Sequence, residues 1–558
     1  MRNQSCVSLF IASSLLAAVV MTTPAMARDG DDDRCAGSRD VKLVNGKIHT
    51  LDARNSIVSS VTIKNGRFAV VGDDGQSDVG ACAKVINLGG RTAVPGLVDN
   101  HNHFLLLGLR PGHDTRLETA ASIADVQAVI RARVKTVKPG DFITAMGGFT
   151  PAQFAENRLP TLAELDLAAP NNPVLVFNSF TGPSTTNTLG RNFFTGKGIT
   201  VDALGNIGAG PPSLAALNAL RAIQTFDDKK RGTLDAMAYS ASVGVTTNVD
   251  MGGFILPGTP NIDNSATFDT LASWDPFTAY DPLLALHDEG KVSVRVRIFF
   301  LSMDQNPDVP MTTQRVLNAF SNFGDDIVRT SGIGEFATNW PLFTPQFPAN
   351  YLNALTIVAQ RGWAFQQHSL SNMEDVFTTG AFETVNNTIQ IADLRWSIAH
   401  VPLIDQLTVN RLKKIGAGVA VHPFRYLSGG NFGGPPLRMI IDSGVRVGAG
   451  SDSAQISTLY PWNMIYYMVT GKNVAGKLVN GGQQITREEA IRLYTVNNGW
   501  FLKEEANLGS IEVGKFGDVV VLSGDYFNPM QVPDESIRKL QSVLTIVGGK
   551  VVHNLLRP

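Results

Sequence analysis

The chain repeats one local pattern more than any other: a short apolar run that ends on a polar or charged residue and leads into a helical stretch. The runs are PVLVF (173–177), GVTTNVD (244–250), VSVRVRIFF (292–300), GIGEF (332–336), GWAFQQH (362–368), RWSIAH (395–400), GAGVAVHP (416–423) and VRVGAGSD (445–452). Amphipathic segments such as SIADVQAVIRARVKTV and ITREEAIRLYTV complete the alternation. Strand–helix alternation predicts a parallel sheet with helical crossovers. About eight such units over roughly 400 residues predict an α/β fold, a (β/α)8 TIM-like barrel.

The two ends of the chain read differently. Residues 40–95 and 509–554 alternate apolar and polar positions and are punctuated by Asn-Gly, Asp-Gly and Gly-Gly pairs, which predicts short antiparallel strands. We expect both ends to build one small β-sandwich domain, residues 28–92 with 505–558, around a barrel at 93–504. Residues 180–235, rich in Gly, Asn, Thr and Pro, are expected to be an insertion in that barrel.

The N-terminus predicts export. Arg2 precedes an apolar stretch from Val7 to Val20, and Ala25-Met26-Ala27 supplies an A-x-A cleavage element. The stretch of about 14 residues is shorter than the roughly 20 that a membrane-spanning helix needs. Residues 1–27 are therefore expected to be a signal peptide, and the remainder periplasmic or secreted, with no membrane attachment. Cys35 and Cys82 then remain, either as one disulfide or as two free thiols, too few for a thiolate metal site. A formal net charge of −2, with both signs mixed along the chain, gives no reason to expect a nucleic-acid partner. The expected partner is a small molecule, with a homo-oligomer possible.

Chemistry-bearing residues gather at the C-terminal ends of the predicted strands. His101 and His103 follow the first barrel strand, in GLVDNHNHF. Glu335 ends GIGEF, His368 ends GWAFQQH, His400 ends RWSIAH and Asp452 ends VRVGAGSD. Barrels of this type place their active sites at that face. In extended backbone, residues i and i+2 point the same way, so His101 and His103 can converge while Asn102 points away. Imidazoles with carboxylates suit zinc and similar divalent ions. The six residues are read as one metal site for one or two ions, zinc by preference. His49, His287 and His553 are read as structural, and His113 as shaping a loop. His422, Arg425 and Trp462 are candidate substrate contacts, and Phe104, Trp363, Phe424 and Tyr426 candidate pocket walls.

The pattern PGLVDNHNH, the strand-end histidines His368 and His400, GAGSD and the late GSIEVGKFGDVVVLS resemble the amidohydrolase superfamily. The nearer likeness is to amidohydrolase family 3, the group of N-substituted formamide deformylase-like enzymes, and it extends over nearly all of the chain after residue 27. The resemblance implies metal-assisted hydrolysis of a non-peptide C–N bond, as in an N-acyl or N-formyl compound. Asp452 would be the general base and His400 would help polarise the scissile carbonyl. Lactone or ester opening and metal-assisted decarboxylation are alternatives on the same apparatus, and an inactive exported binding protein is a third reading. Two departures stand out. Many relatives carry a carboxylated, metal-bridging lysine at the end of strand four, where this chain has Glu335. Relatives often have a histidine after the run matching PVLVF, where this chain reads NSFTGPSTTN, with Asn178 and Asn187 as polar substitutes.

Overall fold

Eight strands carry the long apolar runs: β1 (Leu97–Asn102), β2 (Val245–Asp250), β3 (Arg295–Phe300), β4 (Val328–Glu335), β5 (Ala364–Ser369), β6 (Ser397–His400), β7 (Gly418–Val421) and β8 (Arg446–Ala449). They form one parallel sheet in sequential order from β8 to β1. Nearly every strand residue is buried, as expected where helices cover one face and the opposite face closes on itself. The computed structural model describes residues 35, 37–72, 80–253, 271, 274–276, 278–304, 306–341, 349–428, 432–453 and 455–556. Residues 1–38 form a separate compact unit in which Ser38 N–H donates to the Cys35 carbonyl at 3.0 Å and Cys35 is disulfide-bonded. The expected signal peptide lies outside the described residues. Residues 39–558 form the second unit, in which Cys82 is disulfide-bonded. No helix among the described residues is long and apolar enough to cross a membrane.

The sheet closes between β8 and β1 through side chains and loop backbone. Buried Asn498 donates from Nδ2 to the Val98 carbonyl (2.6 Å) and the Ala449 carbonyl (2.8 Å), one on each side of the seam. Above it, Asp452 N–H donates to the His101 carbonyl (2.8 Å) and His103 N–H to the Ser453 carbonyl (2.7 Å). Gly450 lies against this junction. A Cβ there would meet His101 N at 2.6 Å and Asn100 Oδ1 at 2.7 Å, so no larger residue fits.

Both chain ends build two further sheets. A four-stranded sheet orders Arg67–Val71, Val61–Lys64, Val41–Val44 and Lys84–Asn87. A six-stranded sheet orders Lys550–Asn554, Ser542–Val547, Val519–Leu522, Thr92–Pro95, Lys47–His49 and Ile57–Val58. Val41, Leu43 and Ile63 from the first pack with Ala93, Val519 and Leu544 from the second in one core. The segment Thr92–Pro95 pairs with Val519–Leu522, so the chain is still in this sheet when it passes residue 93. Arg295, at the start of β3, reaches Asp518 with two bonds of 2.8 Å, and Arg297 reaches Glu504 at 2.5 Å. These fully buried ion pairs fill the end of the barrel opposite the histidines.

PVLVF is not a barrel strand: Val174–Phe177 lies in a five-stranded sheet ordered Asn206–Ile207, Ser184–Thr186, Val174–Phe177, Ile143–Met146 and His113–Asp114. This insertion therefore begins well before residue 180, between β1 and the helix Phe226–Ser242. A buried parallel strand is an apolar run of four or five residues in either sheet, and nothing local tells the two apart. The insertion leaves and returns at one point, because Gly108 and Gly232 bring the flanking helices together. A Cβ on Gly232 would meet the Gly108 carbonyl oxygen at 2.1 Å.

Candidate active site

Glu335 ends β4 at the centre of the barrel mouth, and Gly334 puts it there. A Cβ at residue 334 would meet the Gln366 carbonyl oxygen of β5 at 2.8 Å, so only glycine allows the two strands this contact. His101 and His103 reach the same space from β1, as strand alternation predicts. Their Nδ1 atoms are engaged: that of His101 with Gln366 Oε1, and that of His103 with the Gly252 carbonyl at 2.6 Å. With Nδ1–H donating outward, each Nε2 presents its lone pair to the centre.

Four of the distances are those of ligands and not of hydrogen bonds. His101 Nε2 lies 3.7 Å from Glu335 Oε2 and 3.7 Å from Asp452 Oδ1. His103 Nε2 lies 3.5 Å from Glu335 Oε1 and 3.5 Å from Asp452 Oδ1. Tetrahedral ligands on bonds of about 2.1 Å stand about 3.4 Å apart. His101 Nε2 is buried and has no hydrogen-bond partner, an orphan atom that a cation would satisfy. On the other side of Glu335, His368 Nδ1 and His400 Nε2 approach Oε2 at 2.7 and 3.0 Å, within hydrogen-bond reach. His400 Nδ1 faces Asp452 Oδ2 at 3.5 Å. Three overlapping groups could hold an ion: His101, His103 and Glu335; His101, His400 and Asp452; Glu335, His368 and His400. All six residues expected as ligands are thus brought together, and Glu335 is shared between two groups.

The electrostatics fit a cation site. Burial pushes His101 down to about 4. Burial also opposes charge on His103, but its contacts with Asp452 and Glu335 outweigh that and raise it well above the usual range. Burial would raise Glu335 and Asp452; the facing histidines, His368 foremost for Glu335 and His400 for Asp452, hold both carboxyls below their ordinary values. His400 (φ 69°) and Asp452 (φ 52°) both sit in left-handed backbone, which non-glycine residues seldom adopt and which clusters at functional sites.

The candidate substrate contacts divide. Arg425 lies with its guanidinium 5.1 Å from the centre of the Phe424 ring, and that ring stands 6.1 Å from His400, so this pair borders the mouth. His422 does not face outward. It is fully buried beside the candidate ligands, with its ring 4.3 Å from His101 and 4.7 Å from His400. Trp462 is a correction: it is fully buried against Tyr526, at 5.5 Å, in the main core. Phe104 and Trp363 belong to the same core, and Tyr426 is buried with its hydroxyl on Asn463. Asn187 is a helix N-cap, its Oδ1 accepting the Gly190 N–H at 3.0 Å, and Asn178 N–H donates to the Pro183 carbonyl. His49 stacks on Phe527, His287 pairs with Asp325, His553 meets the Ser542 carbonyl, and His113 bonds Arg231.

Sequence reading missed the layer beneath. Asp99 accepts from Ser451 N–H (2.9 Å) and Ser451 Oγ (2.5 Å), fastening the Asp452 loop to β1. Burial raises the Asp99 carboxyl to about 6. Gln366 orients His101. Both lie two residues before a ligand on the same strand face, so the period-two rule could have found them. The insertion also reaches the mouth: Glu118 binds Arg116 at 2.7 Å and accepts the Leu459 N–H at 3.2 Å, just beyond the Asp452 loop.

Comparison with known proteins agrees with this geometry. The model of the amidohydrolase family matches residues 84–553. The N-substituted formamide deformylase of Arthrobacter pascens is 24% identical over 559 residues, covering 92% of this chain and 98% of that enzyme. Among solved structures, an uncharacterized metal-dependent hydrolase from Pyrococcus furiosus superposes with a TM-score of 0.57 at 19% identity, covering 88% of this chain and 100% of that one. An atrazine chlorohydrolase from Arthrobacter aurescens TC1, complexed with zinc, superposes with a TM-score of 0.51 at 15% identity, over 93% and 96%. With these matches and the converging histidines and carboxylates, the chain belongs to the amidohydrolase family and is a metal-dependent hydrolase.

Proposed function

We propose that the protein is an exported hydrolase that opens a non-peptide C–N bond, an amide or N-acyl bond, of a small molecule. The observation that carries this reading is the arrangement of His101, His103, Glu335 and Asp452 around one point, with both Nδ1 atoms engaged elsewhere. These residues, with His368 and His400, would hold one or two divalent ions, zinc by preference. Such an ion, when bound, supplies Lewis acidity toward a carbonyl and lowers the pKa of water to about 7.

The proton work belongs to the chain. Asp452 borders the mouth, and its carboxyl is held ionised, so it can accept a proton from the attacking water. The same oxygen can return that proton to the departing nitrogen, which must leave as a neutral amine. His400 stands between the two carboxylates, where an N–H can donate to an oxyanion forming on the substrate. Arg425 and Phe424 border the mouth, where a polar and an aryl part of a substrate would lie. The likeness to a formamide deformylase supports the amide over the ester or lactone reading.

The test is a hydrolysis screen of the metal-loaded protein against paired amides, N-formyl amines, esters and lactones, with products identified by mass spectrometry. Amine release with no lactone or ester turnover is expected. Ester or lactone opening alone would replace the reading, and tight binding without turnover would favour an inactive binding protein. Export is checked separately, by finding activity in the periplasm or medium with a new N-terminus near residue 28.

A further inference from the structure

GVTTNVD contains two polar residues, Asn248 and Asp250, that the hydrolysis leaves unassigned and that are fully buried. Two apart on β2, they share one face, and both grip the chain around His103. Asn248 Oδ1 accepts from Asn102 Nδ2 at 2.9 Å, and Asn102 Oδ1 accepts the Phe104 N–H at 3.1 Å. Asp250 Oδ1 accepts the Leu105 N–H at 2.8 Å. Phe104 and Leu105 open the short helix Phe104–Gly108, whose first amides have no partner within it. Asp250 Oδ2 accepts the Gly252 N–H at 3.0 Å and the Tyr280 hydroxyl at 2.9 Å. Gly252 is the residue whose carbonyl receives His103 Nδ1 at 2.6 Å. Its φ is 64°, and a Cβ there would meet Tyr280 Oη at 3.1 Å, so this turn calls for glycine.

We infer that Asp250 is a positioning residue for the metal centre, acting through His103: it holds the backbone just after that histidine and the turn that accepts its ring N–H. The inference rests on His103 being a ligand. From the other side, the Ser453 carbonyl accepts the His103 N–H at 2.7 Å. The main chain is thus held before and after the residue, and Gly252 holds the ring. Nε2 then stays 3.5 Å from both Glu335 Oε1 and Asp452 Oδ1, as an ion shared by the three requires. Burying a carboxylate is costly unless donors surround it, and two of the three donors on Asp250 belong to the segments that hold His103. Asp304 offers the contrast. It accepts the Met311 and Thr312 N–H groups at 3.1 and 2.8 Å, in the first turn of the helix Pro310–Asn318, which carries no ligand.

Zinc affinity of the full chain, read by chelator competition beside urea unfolding of the metal-free protein, tests this. Asp250→Asn keeps one oxygen but sets an amide N–H2 against a backbone N–H, and zinc should bind about 10–100-fold more weakly. Gly252→Ala shifts the carbonyl and leaves the carboxylate in place. It should weaken zinc in the same direction, and it carries the test if Asp250→Asn does not fold. Asp304→Asn should lower stability with zinc affinity unchanged, which separates support of the fold from support of the ligand. In a His103→Gln background the groups His101, His400, Asp452 and Glu335, His368, His400 remain, and adding Asp250→Asn should cost little more. Unchanged zinc affinity in folded Asp250→Asn or in Gly252→Ala would overturn the inference. So would an equal loss of affinity in Asp304→Asn, or the full Asp250→Asn loss recurring without His103. A His103→Gln protein that binds zinc as wild type does would instead remove that histidine from the ligands, and the inference with it.

Discussion

His422 Nδ1 accepts the backbone N–H of His400 at 3.0 Å, beside the candidate metal ligands at the barrel mouth. His400 is in left-handed backbone, as is Val401 at φ 45°, a costly conformation for a β-branched residue. This acceptor, just after β7, holds the turn at the end of β6, so His422 positions His400 without needing to touch substrate.

His422→Phe removes the acceptor, and kcat/KM or metal affinity should fall about 10–100-fold, the usual cost of losing such a support. His422→Asn, which keeps a short acceptor, should retain more of both. Metal content per chain and steady-state kinetics check this; equal losses in the two variants would make His422 a packing residue.

Asp452→Asn should lower kcat by about 10²–10⁴-fold, the usual share of a general acid–base. Metal content and KM should change little, because the amide keeps one oxygen toward His101 and His103. Full turnover in this variant would remove Asp452 from the proton path.

Glu335 touches two of the three ligand groups, so Glu335→Ala should reduce the metal bound per chain, read by elemental analysis of dialysed protein. Unchanged stoichiometry would leave the glutamate a purely structural partner of His368 and His400.

Asp375 predicts a pH dependence of stability. It is fully buried on Ser369 Oγ at 2.6 Å, and burial pushes its carboxyl from 3.8 up to about 7. The folded state therefore holds the proton more tightly than the unfolded chain. Its contribution is complete below about pH 4 and is lost as pH rises to about 7, a total of roughly 4 kcal/mol. Urea unfolding from about pH 5 to about pH 8 should show wild type losing stability relative to Asp375→Asn. Parallel curves would mean that the carboxyl is not protonated in the fold.

Asn498 predicts the strength of the seam. Asn498→Leu keeps the branching at Cγ but strips two buried carbonyls, those of Val98 and Ala449, of a donor. A loss of about 2–6 kcal/mol is expected, at about 1–3 kcal/mol for each of the two stranded groups. Denaturant unfolding checks it, and a loss under about 0.5 kcal/mol would mean that the backbone bonds of Asp452 and His103 suffice.

Local periodicity sufficed to read the barrel and the convergence of six histidine and carboxylate side chains that could hold a metal. Alternation along β1 aims His101 and His103 together, and parallel strands bring Glu335, His368, His400 and Asp452 to one face. Local pattern could not assign PVLVF to the inserted sheet, since a buried strand has the same composition in either place. It could not separate His422, which supports the ligands, from Trp462, which fills the core, because each merely follows a strand. Those outcomes depend on which residues, far apart in sequence, stand within 3 Å of one another. Only the closed barrel decides that: it sets Gln366 against His101, Asn498 across the seam, and His422 against His400.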